Sequence, residues 1–159
     1  METKDFDVKK EYNKLKLIYK QLPDFEEVER DFEITAIEKG DLFSKRLRRR
    51  LVDKIVFFCK IIENLIYPSL QNPLSAYEAS FFNDEERQEM GALHKQLMIF
   101  ERKSLILDVE GSDEDKDIDF VMGLFGKWEN FKKELSKIVN KMSESWQKDL
   151  EDDGERYFG

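Results

Sequence analysis

The chain has 159 residues, 40% hydrophobic and 39% charged, with 27 Lys+Arg against 35 Asp+Glu and a formal net charge of −8. Two residues in five can enter a core, which excludes a wholly disordered chain, and the length suits one domain. With only 7 Gly and 3 Pro, an all-β fold built on many tight turns is excluded in favour of long helices.

In chain order, Val8, Tyr12, Leu15, Tyr19 and Leu22 recur at four-three-four-three spacing and predict a first helix, which Pro23 and Asp24 interrupt. Phe25, Val28, Phe32 and Ala36 predict the buried stripe of a short second helix that Gly40 ends, with Asp41 placed to cap the next. A third helix over about residues 42–67 carries Leu47, Leu51, Ile55, Phe58, Ile62 and Leu65 on one face. Val56, Phe57, Cys59 and Ile61 add apolar character on others, so this helix is expected to be enclosed and the most buried. Pro68 and Pro73 close it, and LSAYEASFF offers a brief connector helix.

Asn83 before Asp84, Glu85 and Glu86 reads as a capped helix start, followed by the heptad-like seam Met90, Leu93, Leu97, Phe100, Ser104 and Leu107. After Gly111, Ser112 is expected to cap a last long helix with Asp115 as capping-box partner. The stripe of that helix runs Ile118, Val121, Phe125, Trp128, Leu135, Ile138, Met142 and Trp146. The expected fold is all-α, an antiparallel up-and-down bundle of four to six helices forming one domain over residues 1–150. Residues 151–159 read as an acidic tail, flexible or docked by Tyr157 and Phe158.

Few residues carry chemistry. The single Cys59 sits in an apolar run, can form no intrachain disulfide, and reads as core. His94, the only histidine, has neither a nucleophile at a matching spacing nor a second histidine for a metal, and reads as a boundary residue. Asp113, Asp115 and Asp117 alternate as in a calcium loop, but Ile118 and Leu124 stand where that loop needs Gly and Glu. No stretch approaches the ~18 uninterrupted apolar residues of a membrane span, so a soluble cytoplasmic protein is expected. Abundant Glu and Lys with scarce Asn, Gln and Cys is a balance found in thermophile proteins.

Positive charge is clustered. Lys45, Arg46, Arg48, Arg49 and Arg50, with Lys54 nearby, form the leading binding candidate, able to reach phosphates or a partner's carboxylates along one helix. Arg46, Arg49 and Arg50 share a side that must face solvent or a ligand, but no aromatic residue is interleaved for base stacking. The acidic stretch over 108–119, in another copy or a partner, is its natural complement.

Two resemblances follow from these residues. EERQE at 85–89 and EDKD at 114–117 resemble the EExxE and ExxD pattern of the all-α nucleoside-triphosphate pyrophosphohydrolases, which implies Mg²⁺ held by Glu86, Glu89, Glu114 and Asp117. Both acid sets also lie at expected helix starts, where the macrodipole alone favours them. LPDFEEVERDF, LFSKRLRRRLVDKI and NDEERQEM, in that order, resemble the helical domain of GINS-type replication subunits. That resemblance implies a helical subunit of a nucleic-acid-processing assembly, in replication or repair, that uses Arg46–Arg50. The residues themselves favour a non-enzymatic helical bundle acting by protein association, as a homo-oligomer or a subunit of a larger complex, with no catalytic residue and no cofactor assigned.

Overall fold

The computed structural model describes residues 6–158, with the side chains of Tyr157 and Phe158 outside the described set. The protein is all-α. Among the described residues it has six α-helices, one 3₁₀ turn at Ile34–Ala36 and no strand. The helices are α1 Val8–Ile18, α2 Phe25–Phe32, α3 Phe43–Ile66, α4 Pro73–Ala79, α5 Asp84–Glu110 and α6 Glu114–Phe158. None of the described helices is long and apolar enough to cross a membrane. Packing divides the chain into two compact units. Unit one holds the described residues up to Phe57 together with Ile99–Trp128, and unit two holds Phe58–Met98 with the described residues from Glu129 onward.

In unit one, Asp7 caps α1 by accepting from the Lys10 amide at 3.1 Å, and Val8, Tyr12 and Leu15 form its buried stripe. The Tyr12 hydroxyl donates to the Pro23 carbonyl at 2.8 Å, which fixes the turn into α2. Helix α2 stops at Phe32 because Glu33 adopts a left-handed conformation with φ 52°. The expectation that Ala36 continues the stripe and that Gly40 ends the helix is therefore corrected. Ile34 and Ile37 turn inward while Ala36 is exposed. Gly40 serves a different purpose, since a Cβ there would come within 2.7 Å of the Phe6 ring that lies against it.

The core side of α3 within unit one is Leu47, Leu51 and Ile55, all fully buried. Its other apolar face is not enclosed as expected: Phe57 is exposed and Val56 only half-buried. The start of α6 also shifts by one residue. Asp113, and not Ser112, accepts from the Lys116 amide at 2.9 Å, and the Ser112 hydroxyl is buried without a partner. Gly111, at φ 88°, supplies the left-handed residue that follows the end of α5. The α6 stripe in this unit is Ile118, Val121, Leu124 and Trp128, and the Trp128 indole donates to Asp31 at 3.1 Å.

In unit two, Cys59, Ile62 and Leu65 of α3 are buried with Met90, Leu93 and Leu97 of α5 and Phe131, Leu135 and Ile138 of α6. Phe131 belongs to the stripe, which keeps three-four-three spacing from Trp128 to Ile138. Asn72 and Pro73 start α4, with the Asn72 side chain accepting from the Ser75 amide at 3.4 Å. The Ser75 hydroxyl then donates to the Asn64 carbonyl at 3.1 Å and anchors α4 to the end of α3. Asn83 and Glu86 close a reciprocal capping box at 2.9 and 2.8 Å. Beyond Ile138, Met142 is half-buried and Val139, Trp146 and Leu150 are exposed, and the helix continues through residues 151–156, all exposed.

Candidate functional site

The basic run at 45–50 lies on the first turns of α3, in unit one. Helical geometry splits it. Arg48 is seven residues before Ile55 and eleven before Cys59, so it falls on the buried stripe, whereas Arg46, Arg49 and Arg50 point elsewhere. The Arg48 side chain is completely buried, and it does not belong to the exposed face on which the run placed it.

Its guanidinium makes four bonds. Nε donates to Asp117 Oδ1 at 2.7 Å, Nη2 to Asp108 Oδ1 at 2.6 Å, and Nη1 to the Ser104 carbonyl at 2.9 Å and to Ser104 Oγ. The Ser44 hydroxyl donates to Asp117 Oδ2 at 3.1 Å. One planar fork thus ties α3, α5 and α6 of this unit together, a geometry an ammonium could not reproduce. A buried charge is tolerable only when it is paired and its hydrogen bonds are satisfied, and this cluster meets that requirement.

The remaining cations of the run also meet acids of their own unit. Arg49 lies 3.3 Å and Lys45 3.9 Å from Asp108. Arg46 donates to the Asp41 carbonyl at 2.8 Å and lies 3.2 Å from its carboxylate. Arg50 donates to the Phe32 carbonyl at 3.0 Å, a cationic end to α2, and reaches the Glu33 carboxylate at 3.4 Å. Burial pushes the Asp108 carboxyl up, but hydrogen bonds and charge from Arg48 and Arg49 outweigh it and hold Asp108 below the usual carboxylate range. Arg46, Arg49 and Arg50 line an open groove of about 490 Å³ with Lys39, Glu38 and Asp53. Lys54 lines a neighbouring hollow with Glu33, Asp53 and Phe57.

The four acids expected to hold Mg²⁺ are distributed otherwise. Asp117 is buried against Arg48, and Glu114 accepts from the Tyr19 hydroxyl at 3.3 Å beside Asp115. Hydrogen bonding to Asp115, more than anything else, raises the Tyr19 hydroxyl above its ordinary pKa. In unit two, Glu86 completes the capping box and pairs with Lys141; hydrogen bonding from Lys141, then from the Asn83 amide, holds its carboxyl below the usual range. Glu89 lines a small cavity of about 100 Å³ with Phe82, Met90, Leu93 and Ile138. Among the described residues, no three His, Cys, Asp or Glu side chains are grouped so as to hold a metal ion. His94 Nε2 is buried without a hydrogen-bond partner.

Unit one also carries an apolar feature that the charge pattern does not indicate. The buried side of α5 there is Phe100 and Ser104. Leu105, Val109, Ile106 and Ile99 occupy about a third of the helix circumference on the opposite side, with Arg102 among them. All four are exposed, Val109 at 85% and Ile99 at 53%. The helix is apolar on two opposed faces and only one is covered by its own unit. No family model matches the chain, and no curated protein or solved structure matches it either.

Proposed function

We propose that this protein is a non-enzymatic helical component that acts by protein association, and that the outer face of α5 in unit one joins it to a second copy. The observation that carries the reading is the row Ile99, Leu105, Ile106 and Val109, exposed on the side of the helix opposite its core stripe. Single exposed apolar residues are ordinary, but four grouped around Arg102 on one helix face mark a surface that gains by being covered. Such a face is complementary to itself, so a two-fold pair of identical faces is its simplest cover.

The charge arrangement supports the same reading. Arg48 is spent inside the unit, and Lys45, Arg46, Arg49 and Arg50 each lie beside a carboxylate of the same unit. The complement once expected from another copy, the acidic stretch over 108–119, contributes Asp108 and Asp117 to pairs within the chain. The test is sedimentation of the full chain over a range of concentrations, beside the variant Ile106→Ser/Val109→Ser. The reading expects a concentration-dependent oligomer that the variant abolishes.

A further inference from the structure

A second surface, in unit two, has a different chemistry. Tyr77 of α4, Phe81 and Trp146 of α6 form a three-ring cluster with centroid separations of 5.1, 5.2 and 5.6 Å. Packed rings hold one another in place, so presenting them costs little side-chain entropy. The cluster is nevertheless open: Tyr77 and Trp146 are exposed, as are Leu74 one turn before Tyr77 and Leu150 one turn beyond Trp146, the last at 75%.

The flank of this cluster is acidic. Asp149 and Asp153 share the α6 face of Trp146 and Leu150, and hydrogen bonding to Asp149, aided by the charge of Asp153, raises the Tyr77 hydroxyl above its ordinary pKa. Over residues 144–156 there are six acids, Glu144, Asp149, Glu151, Asp152, Asp153 and Glu155, against Lys148 and Arg156. Acids at the starts of α5 and α6 are explained by the helix dipole, but these stand toward the C-terminal end of α6, where the dipole gives them no support. Arg156 lies 4.0 Å from Asp153, yet the stretch keeps four more acids than bases and its flank stays negatively charged.

We propose that the Tyr77–Phe81–Trp146 cluster with its Asp149 and Asp153 flank is a docking face for a cationic amphipathic helical segment of another protein. Its apolar side would lie on the rings and on Leu74 and Leu150, and its Lys or Arg residues would meet the acids of α6. Aromatic anchors supply the binding energy in such interfaces, and the charges set orientation and partner choice. The proposal shares the idea of association with the α5 reading but uses a different surface, so each can fail without the other.

The test uses the full chain and a dye-labelled synthetic peptide of Leu and Lys, roughly 18 residues or five helical turns, with a Leu and Glu peptide of the same pattern as its opposite. Fluorescence anisotropy should show binding of the Leu and Lys peptide alone. Asp149→Lys/Asp153→Lys and, separately, Leu74→Ser/Leu150→Ser should each weaken it by about tenfold or more. Glu63→Lys/Glu89→Lys makes the same change in net charge at exposed sites elsewhere in the unit and should leave it within about twofold. Trp146→Ala risks the packing of α4, whereas Leu74, Leu150 and Asp153 are exposed and Asp149 is half-buried beside the Tyr77 hydroxyl; circular dichroism of each variant checks that the fold is intact. Equal binding of both peptides, failure of both, unweakened binding to either patch variant, or an equal loss in the Glu63/Glu89 variant would overturn the proposal.

Discussion

Arg48 donates from Nε to Asp117 Oδ1 across 2.7 Å with both side chains closed to solvent, which makes this ion pair a part of the core of unit one. Removing one member leaves the other as an uncompensated buried charge, so Arg48→Met is expected to cost about 3–5 kcal/mol. That corresponds to a fall in Tm of about 10 °C for a chain of this size. Arg48→Lys should recover little, because one ammonium cannot span Asp117, Asp108 and Ser104. The double variant Arg48→Met/Asp117→Leu should recover most of the loss, and thermal unfolding of the four proteins measures the set.

The carboxylates of this network set an acid limit to stability. Asp108 is held below its ordinary pKa in the fold, so it binds protons more readily when unfolded. Its contribution is fully present above its unfolded pKa of ~3.9 and is lost as pH falls through the lower folded value. Glu86, also lowered, adds a loss of the same sign from about pH 4 downward. Unfolding midpoints measured between neutral pH and the acid limb should fall there, and Asp108→Asn should start lower and show a shallower acid limb.

Two positions in the left-handed region should respond with opposite signs. Leu42 holds φ 53° with an exposed side chain, so Leu42→Gly removes strain without removing packing. A gain of about 0.5–1 kcal/mol is expected from denaturant unfolding. Gly111, at φ 88° after α5, should lose about 1 kcal/mol or more when replaced by Ala, although nothing lies within 4 Å of a Cβ there.

Much of the helical scaffold was legible because apolar spacing and end signals act locally. Asn83 caps α5 as its residue type and the acids after it suggest, with Glu86 closing a box that was not expected, and Met90, Leu93, Leu97 and Phe100 are the buried seam. Cys59 is core, as its apolar surroundings indicate. The misplaced boundaries have local causes too. Glu33 takes a left-handed conformation that its residue type does not advertise, and Asp113 competes with Ser112 for the cap one position away.

The candidate site was less legible, because reading KRLRRR as a charge block hides the helical phase of its members. Arg48, Ser104 and Asp117 each stand on a core stripe of their own helix, and polar residues in such positions must find one another. That signal was present in the spacing. The outer face of α5 was harder to read. Ile99, Leu105, Ile106 and Val109 alternate with the seam residues, and a sequence shows two apolar faces of a helix without showing which is covered.

Sedimentation velocity of the full chain beside Ile106→Ser/Val109→Ser is the most direct test of association through α5. Both substituted residues are exposed, so the variant should keep the helical content of the parent while losing its oligomer and whatever stability association adds. A parent that sediments as an oligomer and a variant that sediments as a monomer is the predicted result. A parent that stays monomeric at the highest concentration reached, or a variant that associates as strongly as the parent, would contradict it.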